Sequence, residues 1–230
     1  MVGLTPDDKV RIAQAVGRAE MATSGEICCV LTEETSHYRE IPVAWAALIA
    51  LLLPPLALAL GFRPLALGSL FSDWVVAQSQ TVEREALLAL GAYALAQTIL
   101  FAIVMLVVSI PTVRRALTPA FVKRRRVQLS ARHHFVSLVA RHGPEGAYVM
   151  IFASRFDRMV EIVVSEAAHS ASGDTIWHQA AVAMTDAMSN GHAADGFVRA
   201  VDICGGELAT RFPPIPGKKQ NLLPDTLLET

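Results

Sequence analysis

TSGEICCVLTEETSHYRE, residues Thr23–Glu40, runs directly into IPVAWAALIALLLPPLALALGF, residues 41–62. The first stretch reads as the first strand of a soluble α/β domain, with a Gly25-Glu26 turn before a dense apolar centre, ICCVL. The second reads as a membrane span. A single strand has no partner and is not stable alone. The rest of the sheet must therefore come from beyond the apolar segment.

Upstream of the strand, LTPDDKVRIAQAVGRAEMATSGE carries the signals of a helix start. Thr5 is placed to cap the N-terminus, Pro6 suits the first helical position, and Asp7 and Asp8 favour the positive end of the dipole. Ile12, Val16 and Ala19 fall on one face and require something to pack against. Downstream, TPAFVKRRRVQLSARHHFVSLVARHG predicts a helix opened by Thr118-Pro119, with Phe135, Leu138 and Val139 on one side. AYVMIFASRF and MVEIVVSE are β-rich runs joined through Asp157-Arg158 as a hairpin. GDTIWHQAAVAMTDAMSNGHAADGFVRAVDICGGELATRFPP predicts two further helices. Ile176, Ala180, Ala183 and Met184 mark the buried face of the first, and Phe197, Val201, Cys204 and Leu208 that of the second. Asn190-Gly191 separates them, Gly205-Gly206 permits close packing, and Pro213, Pro214 and Pro216 end the fold. The closing PPIPGKKQNLLPDTLLET reads as an extended tail.

The chain has 230 residues and a formal net charge of −1, with 53% hydrophobic and only 18% charged residues. Ordinary soluble domains carry roughly 25% charged residues, so the apolar excess points to a bilayer. From Pro42 to Phe62 there are 21 residues without a charge. At about 1.5 Å per residue that is roughly 31 Å of helix, the thickness of a hydrocarbon core. A second uncharged run extends from Ala86 to Pro111. The first run lies behind forty patterned residues without a basic n-region, so it is not read as a signal peptide. Pro54-Pro55 predicts a kink in the first span, either a hinge or a bend tolerated against the second span. Gln97 is the most polar residue in either span, and neither holds an Asp, Glu, Lys, Arg or His, which argues against transport.

Orientation follows from basic residues near the span ends. Arg63 and Arg84 are the only two between the spans, whereas the twenty residues after the second span, Thr112 to Ala131, carry six: Arg114, Arg115, Lys123, Arg124, Arg125 and Arg126. The C-terminal part is expected in the cytoplasm, and two spans bring the N-terminal segment to the same side. Trp45 and Trp74 lie where interfacial aromatics are expected. The expected organisation is 1–40 as first helix and strand, 41–62 as the first span, 63–85 as a periplasmic loop and 86–111 as the second span. Residues 112–213 complete the domain and 214–230 form the tail. A helical hairpin in the bilayer returns the chain near its start, so one α/β sheet can be completed across the insert.

SGEI-CCVLTEE, GAYVMIFASRFDRMVEIVVSE, a Trp-containing helix and DGFVRAVDICGGELATRFPP together resemble the TPM domain family. The resemblance covers most of residues 4–40 and 117–213. That family includes thylakoid-lumen proteins of photosystem II repair, one described as an acid phosphatase, and many bacterial membrane proteins. One bacterial branch is similar in having spans after the first strand and a closing segment like NLLPDTLLE. The resemblance implies a TPM-like α/β/α sandwich with a small mixed sheet, interrupted here by a two-helix transmembrane hairpin. Similar members carry an acidic residue and a glycine just after the third strand. Here VSEAAHSASG places Ser165 and Ala167 at those positions, with Glu166 and His169 retained. Acid-phosphatase or metal-site roles of relatives therefore do not carry over directly.

Among chemistry-bearing residues, Asp157, Glu161 and Glu166 could supply carboxylates for a divalent ion or acid–base work. His169 is their nearest imidazole in the sequence. Strand alternation allows Glu161 to be simply solvent-facing. His169 and His178 are nine apart, unlike helical metal ligands, and His133 and His134 point in different directions. Cys28, Cys29 and Cys204 form neither a disulfide framework nor a metal motif, and are read as small buried hydrophobes of a reducing compartment. No Gly-rich phosphate loop, Ser-His-Asp signal or CxxC occurs, so no cofactor and no metal are expected. The basic residues Arg114, Arg115 and Lys123–Arg126 fit contact with anionic headgroups rather than nucleic acid. The expectation is a bacterial inner-membrane protein with both termini cytoplasmic. Its TPM-like domain serves as an interaction or assembly module for a membrane-protein partner. The alternative is a weak phosphatase or metal-dependent hydrolase using Asp157, Glu161, Glu166 and His169.

Overall fold

Thr5 begins the first helix, α1 (Pro6–Met21), by a reciprocal cap. Its hydroxyl accepts the Asp8 N–H at 3.2 Å, and the Asp8 carboxylate accepts the Thr5 N–H at 3.0 Å. Such caps contribute about 1 kcal/mol. The computed structural model describes residues 4–33, 40–60, 82–140, 146–215 and 222–230. They divide into two compact units, Met1–Ser36 with Ala120–Thr230, and His37–Pro119.

In the first unit, α1 leads to β1 (Glu26–Thr32), buried at every position. β1 pairs in parallel with β2 (Tyr148–Ser154), from Glu26 opposite Tyr148 to Thr32 opposite Ser154. β2 turns at residues 155–158 into β3 (Met159–Val164), its antiparallel neighbour. Arg158 takes a left-handed φ of 53° in that turn. The strand missing beside ICCVL thus lies more than a hundred residues downstream, as its sequence requires. A parallel pair needs a long crossover, and the insert plus a helix supplies it.

The tail differs from its expected role. β4 (Leu228–Glu229) adds to the other edge of β1, giving the order β3-β2-β1-β4. Glu33 donates its N–H to the Thr230 carbonyl, and Thr230 donates its own to Leu31. Residues 222–230 are thus part of the domain, because β1 is a central strand whose second edge must also be paired.

Strand alternation sends Cys29 to one face and Cys28 to the other. Cys29 joins Ile27, Val149, Ile151, Met184 and Phe197 under α1, α7 (Thr175–Ser189) and α8 (Ala193–Arg211). Cys28 joins Val30, Met150, Phe152 and Leu223 under α5 (Ala120–Val139). The sheet is therefore covered on both sides, and all three cysteines are buried thiols. Gly205 lets α8 approach α1, since a Cβ there would sit 2.6 Å from the Ala19 Cβ, whereas Gly206 faces open space.

Three local expectations change. α6 (Glu166–Ser172) follows β3 where no helix was read. The buried face of α7 is centred on Trp177, Ala180, Met184 and Met188, rotated from the Ile176 and Ala183 side. Thr118 does not open α5: its hydroxyl donates to the Arg114 carbonyl at 2.7 Å and closes α4 (Pro111–Leu117). The α/β unit accordingly resumes at Ala120 rather than at 112.

The second unit holds α2 (Glu40–Ala59), α3 (Val82–Ser109) and α4. α3 starts at Val82 and takes in the last residues assigned to the loop. Trp74 and the rest of that loop lie outside the described residues. α2 runs through Pro54-Pro55 as one helix. Proline lacks an N–H, so Pro54 leaves the Ala50 carbonyl one turn back without its helical donor. Gln97 of α3 supplies one, its Nε2 lying 3.0 Å from the Ala50 oxygen. Ala46 and Ala50, both buried, allow the close approach of the two helices. Trp45 Nε1 donates to the Leu117 carbonyl at 3.3 Å.

Candidate functional site

The four acid–base candidates do not converge. Asp157 is buried in the β2–β3 turn, where its carboxylate accepts from the Ser154 hydroxyl at 3.0 Å. Glu166 lies beyond the far end of β3, next to the start of β2. The six steps of β2 separate these ends by roughly 20 Å. Glu161 is in mid-strand, opposite Phe152, and faces α5. Glu166 and His169 belong to α6, whose Ala168 packs into the core on the other side of the sheet. The Glu166 carboxylate accepts from Ser170 at 3.3 Å, and His169 Nδ1 stands 3.3 Å from Asp174 Oδ1, all on the exposed surface.

Ser165, where the resemblance led to the expectation of an acid, is an N-cap and a sheet tie. Its hydroxyl accepts the Tyr148 N–H at 3.0 Å and the Ala168 N–H at 3.4 Å. Its own N–H returns to the Tyr148 carbonyl. The hydroxyl thus joins β2 to α6 and is engaged with the backbone.

Glu161 is not on an open solvent face. Burial raises its carboxyl above the ordinary range, opposed by the Arg124 and Arg132 charges and a hydrogen bond from Gln128. Arg124, Gln128 and Arg132 are spaced by four, one stripe along the flank of α5. Within the basic run Arg124 and Arg125 are exposed, the Arg124 charge still reaching Glu161, while Lys123 and Arg126 are half-buried. Arg114 and Arg115 belong to α4 of the other unit.

A second group of acids went unnoticed in the sequence. Glu26 opens β1, is buried, and accepts the N–H groups of Leu222 and Leu223, both at 3.0 Å. Glu20, in the last turn of α1, accepts the Ile27 N–H at 2.8 Å. Burial pushes the Glu20 carboxyl up to about 8, with Glu26 and Asp225 adding like charge and the Ile27 N–H opposing. A side-chain hydrogen bond with Asp225 acts in the same upward direction. The signal was present: an acid at the head of an otherwise apolar strand requires buried partners. This group clasps residues 222–225 to the start of β1. The charges that act on Glu20 are those of its fellow acids Glu26 and Asp225.

Nor do the thiols offer a nucleophile, since burial pushes Cys28 and Cys204 up to about 12. Among the described residues, no three His, Cys, Asp or Glu side chains are grouped to hold a metal ion.

No protein-family model matches the chain, and no curated protein matches it. Among solved structures it is similar to the NMR structure of the BA42 protein from the psychrophilic bacterium Bizionia argentinensis, with a TM-score of 0.54 and 15% identity over 100% of this chain and 97% of that one. The likeness is one of fold. It agrees with the mixed α/β architecture and says nothing of chemistry.

Proposed function

We propose that this chain is an integral membrane protein whose α/β unit, a TPM-like domain, is an interaction or assembly module for a membrane-protein partner. The observation that carries the reading is the apolar surface of α2 and α3. Leu51, Leu52, Leu53 and Leu56 of α2, and Leu87, Leu90, Ile103 and Leu106 of α3, are all exposed. Both helices are long and apolar enough to cross a membrane, yet only 17% of Glu40–Ala57 and 6% of Leu90–Ser109 is buried. Helices of a soluble core are mostly buried, and water does not tolerate so large a contiguous apolar surface.

The orientation rests on the six basic residues within 112–131, just after α3, against two between the spans. In the proposed orientation the α/β unit and both termini lie in the cytoplasm of a bacterium, at the inner membrane. The TPM-like assignment is supported by the residue pattern around β1, β2, β3 and α8 and by a sheet covered on both faces. The non-catalytic role is supported by the scatter of Asp157, Glu161, Glu166 and His169 over two faces and two ends of the sheet. A phosphatase or metal-dependent hydrolase would need them within reach of one substrate.

Membrane fractions washed with alkaline carbonate should retain the protein, and a reporter active only in the periplasm, fused at Thr230, should stay silent. Release by the wash, or a strong reporter signal, would overturn the membrane reading or its orientation. Purified protein should turn over no generic phosphate ester. Turnover that Glu166→Ala and His169→Ala abolish, while Asp202→Ala leaves it intact, would overturn the non-catalytic reading.

A further inference from the structure

The inward side of α5 is accounted for by Val127 and Ala131 in the core and by Gln128 beside Glu161, with Arg124 and Arg132, both exposed, at the two borders of that stripe. Its outward side is unusual for a surface helix. Phe121 is 73% exposed, Leu129 51% and Val136 64%, with exposed Arg125 and Arg132 among them. At about 100° per residue, positions 121, 125, 129, 132 and 136 fall within an arc of roughly 80°. No acidic residue occurs anywhere in α5. The helix is thus apolar toward its own core and, on the opposite side, apolar and cationic at once.

Large apolar side chains interleaved with arginines suit one environment above others: the boundary where acyl chains meet phosphate headgroups. Water alone would disfavour Phe121, Leu129 and Val136, and an apolar protein groove would disfavour the two guanidiniums. We infer that the Phe121–Val136 face of α5 lies on an anionic lipid surface, with Phe121, Leu129 and Val136 dipping below the headgroups and Arg125 and Arg132 pairing with lipid phosphates. This rests on the membrane reading above and narrows it. Contact is assigned to a defined helix face rather than to the whole basic run. Helix α5 begins eleven residues after the end of α3 at Ser109.

The test uses the full chain reconstituted in vesicles of phosphatidylcholine, alone or mixed with phosphatidylglycerol. An environment-sensitive fluorophore is placed singly at Leu129, at Val182 of α7 (exposed, on another helix), or at Leu106 of α3. Quenching by brominated lipid then reports acyl-chain contact. The Leu129 label should be quenched in the phosphatidylglycerol vesicles, and Arg125→Gln with Arg132→Gln should weaken this about fivefold per arginine. The Val182 label should not respond. If Leu106 is quenched and Leu129 is not, in either lipid, the lipid-facing assignment of α5 is overturned and the membrane reading stands. If Leu106 is not quenched, the membrane reading fails. Quenching at Leu129 unaffected by the arginine substitutions overturns the phosphate pairing. Self-quenching of the Leu129 label that grows with protein density, in place of lipid quenching, assigns the face to a second copy of the chain.

Discussion

Replacing Gln97 with leucine removes the donor that satisfies the carbonyl freed by Pro54. The bond is 3.0 Å long, and Ala50 is 3% exposed, so water cannot substitute for the lost amide. Leucine has similar bulk, so packing between α2 and α3 should persist while one buried acceptor is orphaned. Interhelical hydrogen bonds in bilayers contribute about 0.6 kcal/mol on average and up to about 2, and a fully buried orphan belongs at the upper end. Gln97→Leu should therefore destabilise the helix pair by about 1–2 kcal/mol. The physical cause is tested by Pro54→Ala, which returns an N–H to the Ala50 carbonyl within α2. In that background Gln97→Leu should cost at most a few tenths of a kcal/mol, a coupling of about 1 kcal/mol in the double-mutant cycle. Reversible unfolding of the four full-length proteins in mixed micelles measures it. Equal costs of Gln97→Leu with proline or alanine at position 54 would refute the reasoning, as would no cost beside Pro54.

The carboxylate clasp makes stability pH-dependent in a stated direction. Glu20 is raised to about 8 in the fold, so its contribution is complete below the ordinary carboxylate range and is lost as pH climbs to about 8. The slope cannot exceed about 1.4 kcal/mol per pH unit for one proton. Glu20→Gln should flatten it, and thermal midpoints of the two proteins should diverge with rising pH; parallel curves would contradict the assignment. Gly205→Ala should cost about 1–3 kcal/mol, because its Cβ meets Ala19 at 2.6 Å. Gly206→Ala, one position along and facing open space, should be neutral or stabilise by up to about 1 kcal/mol through helix propensity. Thermal denaturation that ranks the two glycines in the opposite order would show that α1 and α8 do not pack as described.

Much of the α/β unit is legible in its residues because the deciding interactions are local. Thr5 and Asp8 complete a cap within four residues. Asp157-Arg158 turns one hairpin strand onto the next, and Phe197, Val201, Cys204 and Leu208 line up along one face of α8. The apolar lengths of α2 and α3 are likewise plain, since every residue in them contributes to the same signal. The parallel pairing of β1 with β2 is legible in outline only. An apolar strand without a local partner demands one, yet nothing in it specifies β4 as the second neighbour.

What the residues alone left open is what depends on partners far along the chain. Leu228 and Glu229 are two residues in a proline-bearing tail; they form a strand because β1 presents an unpaired edge there. Glu161 was open to being read as solvent-facing until the register with Phe152 turned it toward Arg124 and Arg132. Asp157, Glu161, Glu166 and His169 lie within thirteen residues of one another, but Asp157 sits in the hairpin turn while Glu166 and His169 follow the open end, the whole length of β3 away. Gln97 reads as a lone polar residue in a span until Ala50, forty-seven positions earlier, is found beneath it. Capping, turn chemistry and helical periodicity are short-range, so sequence by itself determined the elements. Strand order, face and the pairing of buried polar groups are settled by which edges and orphaned atoms remain when those elements close on one another, and only the tertiary structure decided them.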